Sequence, residues 1–99
     1  MGILTMFSGE LKGSTDAKQL PDKAYNYAYL KAATDNTGVI YVGPAGVTRP
    51  VGSSDSTTTG FPLSAGQVLP LDGEGNLKSI YFIGTAATDD LIYWGVTLY

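Results

Sequence analysis

The chain has 99 residues, of which 43% are hydrophobic and 15% are charged, enough for one domain with a single buried core. Its net charge is −3, with only six basic residues, which argues against nucleic acid and against an anionic membrane surface as partners. Because the chain has neither cysteine nor histidine, it has no disulfide, no thiolate nucleophile and no imidazole base or zinc ligand.

The first seven residues are mostly apolar, and a Ser8-Gly9 pair, typical of a turn, follows them. We expect residues 1–10 to form either a first strand or an N-terminal arm that packs on a neighbouring subunit, and residues 11–99 to form a single β-sandwich domain. The segment lacks the basic and long apolar regions of a signal peptide, and no run of the sequence approaches transmembrane length. We therefore expect synthesis in the cytoplasm.

Residues 24–32 carry the clearest strand pattern in the chain. Tyr25, Tyr27 and Tyr29 recur at a spacing of two, which would place them on one face of a strand. A helix is the competing interpretation, because alanine, leucine and lysine favour helices, but a helix would scatter the three rings. The pattern predicts a strand.

Turn residues divide the middle of the chain into short elements. Residues 34–38 predict a turn in which Asp and Asn bond their own backbone and Gly38 supplies a positive φ. The further predictions are a buried strand at 39–43, a polar loop at 47–60, edge strands punctuated by proline at 61–63 and 67–71, and a glycine-rich turn at 72–76.

The last 24 residues predict a pair of strands that anchors the core. In the first strand, Ile80 and Phe82 share a face. In the second strand, the residues on one face are Ile92, Trp94, Val96 and Leu98. With about seven to eight short strands and no clear helix, the fold class is all-β, as a small jelly roll or β-sandwich of antiparallel strands.

Two acidic pairs are the only candidates for chemistry. Asp72 with Glu74, and Asp89 with Asp90, have the spacing of a carboxylate dyad or a hard-cation site, but all four lie in predicted turns, where Asp bonds the local backbone. Turn formation is the interpretation that we favour. A serine triad needs a histidine, and no phosphate-binding glycine loop is present, so we predict a protein that is not an enzyme, with no cofactor and no metal.

The row of tyrosines at 25, 27 and 29 has three possible roles. Tyrosine is enriched at protein interfaces, where one end of the side chain must be dry and the other wet. The row would equally cover one side of a core, with its hydroxyls at the rim. A platform that stacks on sugar rings is the third role.

The order of these elements resembles that of small structural proteins of tailed bacteriophages. The resemblance rests on Asp-Asn-Thr-Gly-Val-Ile-Tyr-Val-Gly at 35–43, Gly-Phe-Pro-Leu-Ser-Ala-Gly-Gln at 60–67, the strand at 77–83 with the Gly-Thr-Ala-Ala that follows, and the Trp94 strand. The polar loop between residues 48 and 60 is long for this pattern.

The resemblance implies a virion structural protein that decorates or stabilises a phage capsid. Its partners would be the major capsid protein or other virion proteins, and the protein would form a homo-oligomer, with a trimer favoured. It would be made in the host cytoplasm and end in the virion. The alternative is a carbohydrate- or receptor-binding module of a phage fibre.

The contacts that this interpretation needs are assigned to two places. We predict an interface of Ile3, Leu4, Phe7, Tyr25, Tyr27 and Tyr29. Sheet edges would be managed by pairing the N-terminal arm with a neighbour, and by Pro50, Pro62 and Pro70.

Overall fold

The structure, a computed structural model, describes residues 4–13, 15–49, 59–85 and 88–98. The described residues form eight strands and one 3-10 turn: β1 (Leu4–Lys12), β2 (Lys18–Gln19), β3 (Ala24–Ala32), β4 (Ile40–Gly43), β5 (Phe61–Leu63), β6 (Val68–Asn76), the 3-10 turn (Leu77–Ser79), β7 (Tyr81–Gly84) and β8 (Asp90–Leu98). The all-β class is therefore confirmed, and residues 24–32 are a strand.

The strands form two antiparallel sheets with the orders β1-β8-β3-β6 and β2-β7-β4-β5. The pairs β1/β8, β2/β7, β3/β6 and β4/β5 are those of one long hairpin whose arms are rolled across both sheets. Closure comes from the additional pairs β3/β8 and β4/β7. This nested pairing is the connectivity of a jelly roll.

The core lies between the sheets and takes alternate residues from each strand. On β3, Ala28, Leu30 and Ala32 are fully buried, and Ile40 and Phe82 meet them from the other sheet. Each large side chain buried in this way stabilises the fold by roughly 1.5–3 kcal/mol relative to an exposed one. Because these positions point inward, the residues between them point to solvent.

The tryptophan strand β8 turns the predicted face of Ile92, Trp94 and Val96 away from the core. Leu91 and Gly95 are buried, whereas Ile92, Trp94 and Val96 lie on the other face of the strand. The sequence predicted that these residues share a face but not which face of β8 is inside, because both faces carry apolar residues and alternation alone does not decide between them. The prediction for the preceding strand is confirmed, since Phe82 is fully buried and Ile80 packs against the core.

The glycine-rich segment at 72–76 is strand and not turn. It belongs to β6, whose register against β3 shifts between Tyr25 and Tyr27 because β6 has one residue more there than β3. Gly73, with φ of 89°, is part of this bulge, a conformation that glycine adopts without steric cost. The bulge also separates Tyr25, which packs against the core, from the other tyrosines of the strand.

Two smaller predictions can be compared with the structure. Pro62 and Pro70 do lie on the edge strands β5 and β6. Pro50 and most of the predicted polar loop, residues 50–58, lie outside the described residues. In the described parts of the chain, no helix has the length and apolar character to cross a membrane.

Candidate interaction surface

The solvent-facing side of the sheet β1-β8-β3-β6 carries a cluster of aromatic rings. Antiparallel partners share a face, so the register identifies the residues on this side, which we call the outer face. Its rows across the sheet are Met6, Val96, Tyr27 and Asp72; Ser8, Trp94, Tyr29 and Pro70; and Glu10, Ile92, Lys31 and Val68.

The aromatic rings at the centre of the outer face hold one another in place. The rings of Tyr29 and Trp94 lie 5.5 Å apart at 34°, and Tyr27 meets Tyr29 edge-on at 5.0 Å. The Tyr27 hydroxyl donates a 3.0 Å hydrogen bond to the Tyr29 hydroxyl. This bond, with desolvation, raises the pKa of Tyr27 to about 12. The three rings are therefore held in place by one another before any partner binds.

A cleft opens beside these rings. Its volume is about 310 Å³, and the side chains that line it are Tyr29, Lys31, Val68, Ile92 and Trp94. Such a volume is at the small end of ligand pockets, and the surface that lines the cleft is almost entirely apolar, so Lys31 contributes its aliphatic stem. The ammonium group of Lys31 makes no side-chain hydrogen bond or ion pair within the described residues. The cleft therefore fits an apolar side chain, and the ammonium group of Lys31 is available to a carboxylate beside it.

An acidic corner lies at the β1 end of the row that contains Ile92 and Lys31. A hydrogen bond from the carboxyl group of Glu10 to Asp90, the negative charge of Asp90, and a smaller contribution from Asp35 raise the pKa of Glu10 above its ordinary value of 4.5. Two carboxylates that are close together resist double ionisation, so the ionised form of Glu10 is less favourable in the folded chain than in the unfolded chain. This corner therefore lowers the stability of the fold wherever Glu10 is ionised.

Replacement of Glu10 with glutamine is expected to raise the melting temperature at neutral pH. The folded pKa is raised, so the native state loses stability as pH rises through that value, and the loss is absent below the unfolded pKa of about 4.5. The gain in the variant should therefore vanish in acid. Thermal unfolding of the wild-type chain and the variant, at neutral pH and below pH 4.5, measures the gain in melting temperature. An equal gain at both pH values would contradict the electrostatic explanation.

The second acidic pair splits into two unrelated roles. Asp89 is 1% exposed, and its carboxylate accepts hydrogen bonds from the backbone N–H groups of Thr37 at 2.9 Å and Gly38 at 2.7 Å. Asn36 exchanges two 2.9 Å hydrogen bonds with the backbone of Asp90. The predicted turn at 34–38 is confirmed. Its hydrogen bonds, however, go to Asp89 and Asp90 at the start of β8.

Two details of the acidic pairs and the turn differ from expectation. Gly38 is not among the described glycines with positive φ, and it serves instead as a donor to Asp89. In the other pair, Asp72 lies on the outer face, and Glu74 accepts a 3.2 Å hydrogen bond from Asn26. Across the described ranges, no three Asp or Glu residues come together in a way that would hold a metal.

The structure distributes the predicted interface residues among different environments. Tyr27 and Tyr29 lie on the outer face. Tyr25 and Phe7 pack against the core. Leu4 pairs with Leu98, and Ile3 lies outside the described residues.

The N-terminal strand is part of the chain's own sheet, so its deletion would affect folding. Residues 4–12 pair with β8 of the same chain at nine positions. Removal of residues 1–9 would leave most of β8 without this neighbour and would remove Phe7 from the edge of the core. Such a deletion tests folding as much as contact with another subunit.

Four residues of the cleft were not identified as interface residues from the sequence: Lys31, Val68, Ile92 and Trp94. A signal was present, because residues 91–94 are apolar or aromatic on both faces of the strand. In an antiparallel sheet with one solvated face, the strands normally alternate apolar with polar residues. A strand that is apolar on both faces has either two buried faces or one face that binds a partner.

Comparison of this chain with protein-family models, with curated proteins and with solved structures gives no match.

Proposed function

We propose that this chain is a non-enzymatic structural protein that acts through protein–protein contacts of its outer face. The observation that carries this proposal is the position of Trp94 and its neighbours on the solvent side of a complete sheet. A solvated sheet face is normally polar, and a contiguous aromatic patch on the surface of a soluble domain marks an interaction site. Tryptophan and tyrosine are also the residues that contribute most at interface centres.

The biological setting that we propose is the capsid of a tailed bacteriophage. The motif order resembles that of phage structural proteins, and, by analogy of fold, jelly rolls are common among viral capsid domains. In this setting the partner is the major capsid protein or another virion protein, and copies of the chain associate with one another. Repetition on a symmetric shell then adds many weak contacts together.

The cleft defines the chemistry of the contact. The partner would insert an apolar side chain between Trp94 and Val68 and place a carboxylate near Lys31. Of the two rings in the wall of the cleft, Tyr29 is held by its hydrogen bond with Tyr27, and Trp94 packs against Tyr29, so binding would order few side chains.

Replacement of Trp94 with alanine is expected to weaken binding to capsids assembled from the major capsid protein of the same phage about tenfold or more, as for truncation of an aromatic residue at an interface centre. The change should leave the fold intact because the indole is on the outer face. Co-sedimentation over a range of concentrations measures the affinity.

The matched control for this experiment is Phe61→Ala. Phe61 is 56% exposed and lies on β5, in the other sheet, so its truncation removes a comparable ring from a surface that the proposal does not use. Equal losses in both variants, or a wild-type chain that does not bind capsids, would refute the proposal.

The second candidate is a carbohydrate- or receptor-binding module, and the specific observation in its favour is the Tyr29–Trp94 ring pair beside an open cleft. Jelly rolls also include lectin domains. Sugar sites need acceptors beside the ring, and the sequence offers the pair Asp35–Asn36 as such acceptors. The amide group of Asn36, however, is bonded to Asp90. Binding of one defined sugar on a glycan array, lost in Trp94→Ala, would favour this candidate.

A further inference from the structure

The four edge strands of the two sheets are protected very unequally. Strand β2 has two residues, β5 has three with Pro62 among them, and β6 is interrupted by Pro70 and the bulge at Gly73. Short length, proline and bulges are the devices by which proteins prevent pairing at sheet edges. Three of the four edges therefore carry such a device.

Strand β1 carries none of these three devices, and its charged residues, Glu10 and Lys12, lie near one end of the strand. It has nine residues without proline, and it pairs with β8 at every position from Leu4 to Lys12 without a shift in register. On its other side, no strand of the described residues pairs with it. Its backbone N–H and C=O groups on that side form a regular row, which is a template for one more strand.

We propose that β1 pairs with β1 of a second copy of this chain, antiparallel, so that the two sheets form one continuous eight-stranded sheet across a two-fold axis. The inference stands on the edge strands and not on the proposed capsid role, since a dimer of this kind can serve any function.

The sequence of β1 suits pairing with itself. Antiparallel pairing of two identical strands is self-complementary, as a two-fold contact requires. Full overlap of the nine residues places Ser8 opposite Ser8 of the second copy, and Glu10 opposite Met6. No like charges then face each other, whereas a register centred on residue 10 or 12 would oppose two glutamates or two lysines. Met6, 58% exposed in the single chain, would gain a neighbouring strand.

The pairing would also enlarge the outer face. Ser8 lies in the same row as Trp94 and Tyr29, so the two-fold axis through Ser8 joins the aromatic rows of both copies on one side of the sheet. The two clefts would then act as a pair, which raises the avidity for any partner that presents two matching side chains.

The first test is a cysteine cross-link. The chain has no cysteine, so Ser8→Cys introduces a single thiol. Facing residues of antiparallel strands have Cα atoms about 4.5–5.5 Å apart, which is compatible with a disulfide. Mild oxidation should convert this variant into a covalent dimer. Ser64→Cys, in an exposed turn between β5 and β6, is the control and should remain largely monomeric on denaturing gels.

The second test adds charge to the edge. Light scattering of the wild-type chain should give twice the chain mass of 10.4 kDa. Ser8→Lys places two lysines opposite each other and should weaken the dimer at least tenfold, with an unchanged circular dichroism spectrum, whereas Ser64→Lys should not weaken it.

Three outcomes would overturn the inference: a monomeric or trimeric wild-type chain, a dimer that survives Ser8→Lys, or a dimer that the Ser8→Cys variant does not cross-link. Capsid binding is measured separately, so either proposal can fail alone.

Discussion

Replacement of Asp89 with alanine is expected to lower the free energy of unfolding by about 3 kcal/mol, because two backbone N–H groups lose an ionised acceptor in a buried site. These donors belong to Thr37 and Gly38, at 2.9 and 2.7 Å from the carboxylate oxygens. When these two hydrogen bonds are lost, the loop between β3 and β4 loses a polar attachment to the residue that precedes β8. Urea unfolding, followed by the fluorescence of Trp94, measures the change.

Two variants separate the carboxylate of Asp89 from charge in general. Asp89→Asn keeps one acceptor oxygen and should lose about half as much stability. Asp90→Ala removes the neighbouring charge, whose side chain faces Glu10, and should be close to neutral. If Asp89→Ala and Asp90→Ala destabilised the chain equally, the hydrogen bonds to the loop would not be the cause.

Asp89 illustrates why part of the site could not be predicted. The sequence presents Asp89 and Asp90 as equivalent neighbours, and only a contact with Thr37, 52 residues away, buries one of them. Strand β3 was predictable to the residue, because its period of two is local and the turns on both sides are marked by Pro21 and by residues 34–38. Local patterns thus define the strands, whereas burial of a polar side chain depends on the whole fold.

The same distinction explains what the strand predictions left open or misplaced. The shared face of Ile92, Trp94 and Val96 was predicted, but not that the opposite face of β8, with Tyr93, takes the inner position. The glycines at 73 and 75 were interpreted as a turn, although glycine is equally suited to a bulge within a strand. In both cases the residue type allowed two outcomes, and pairing with distant strands decided between them.

Glycine has a further role where β1 meets β8. On the inner face, Phe7 is paired with Gly95, and Gly9 is paired with Tyr93. Each glycine lies beneath the ring of its partner, and a Cβ atom at Gly95 would overlap Cζ of Phe7 and lie 3.0 Å from both of its Cε atoms. The two rings, 6.3 Å apart, therefore occupy space that a side chain at either glycine would need.

Replacement of Gly95 with alanine is accordingly expected to destabilise the fold by about 2 kcal/mol, the usual cost of one additional carbon in a filled site. The double variant Gly95→Ala/Phe7→Leu should be more stable than the sum of the single changes predicts, by about 1 kcal/mol, because the smaller side chain leaves room for the methyl group. Gly46→Ala is the control. Its φ of 86° strains any side chain, but a Cβ there meets nothing within 4 Å, so its cost should add to that of Phe7→Leu without coupling. Strict additivity in the Gly95 cycle would mean that the cost of Gly95→Ala does not come from overlap with the Phe7 ring.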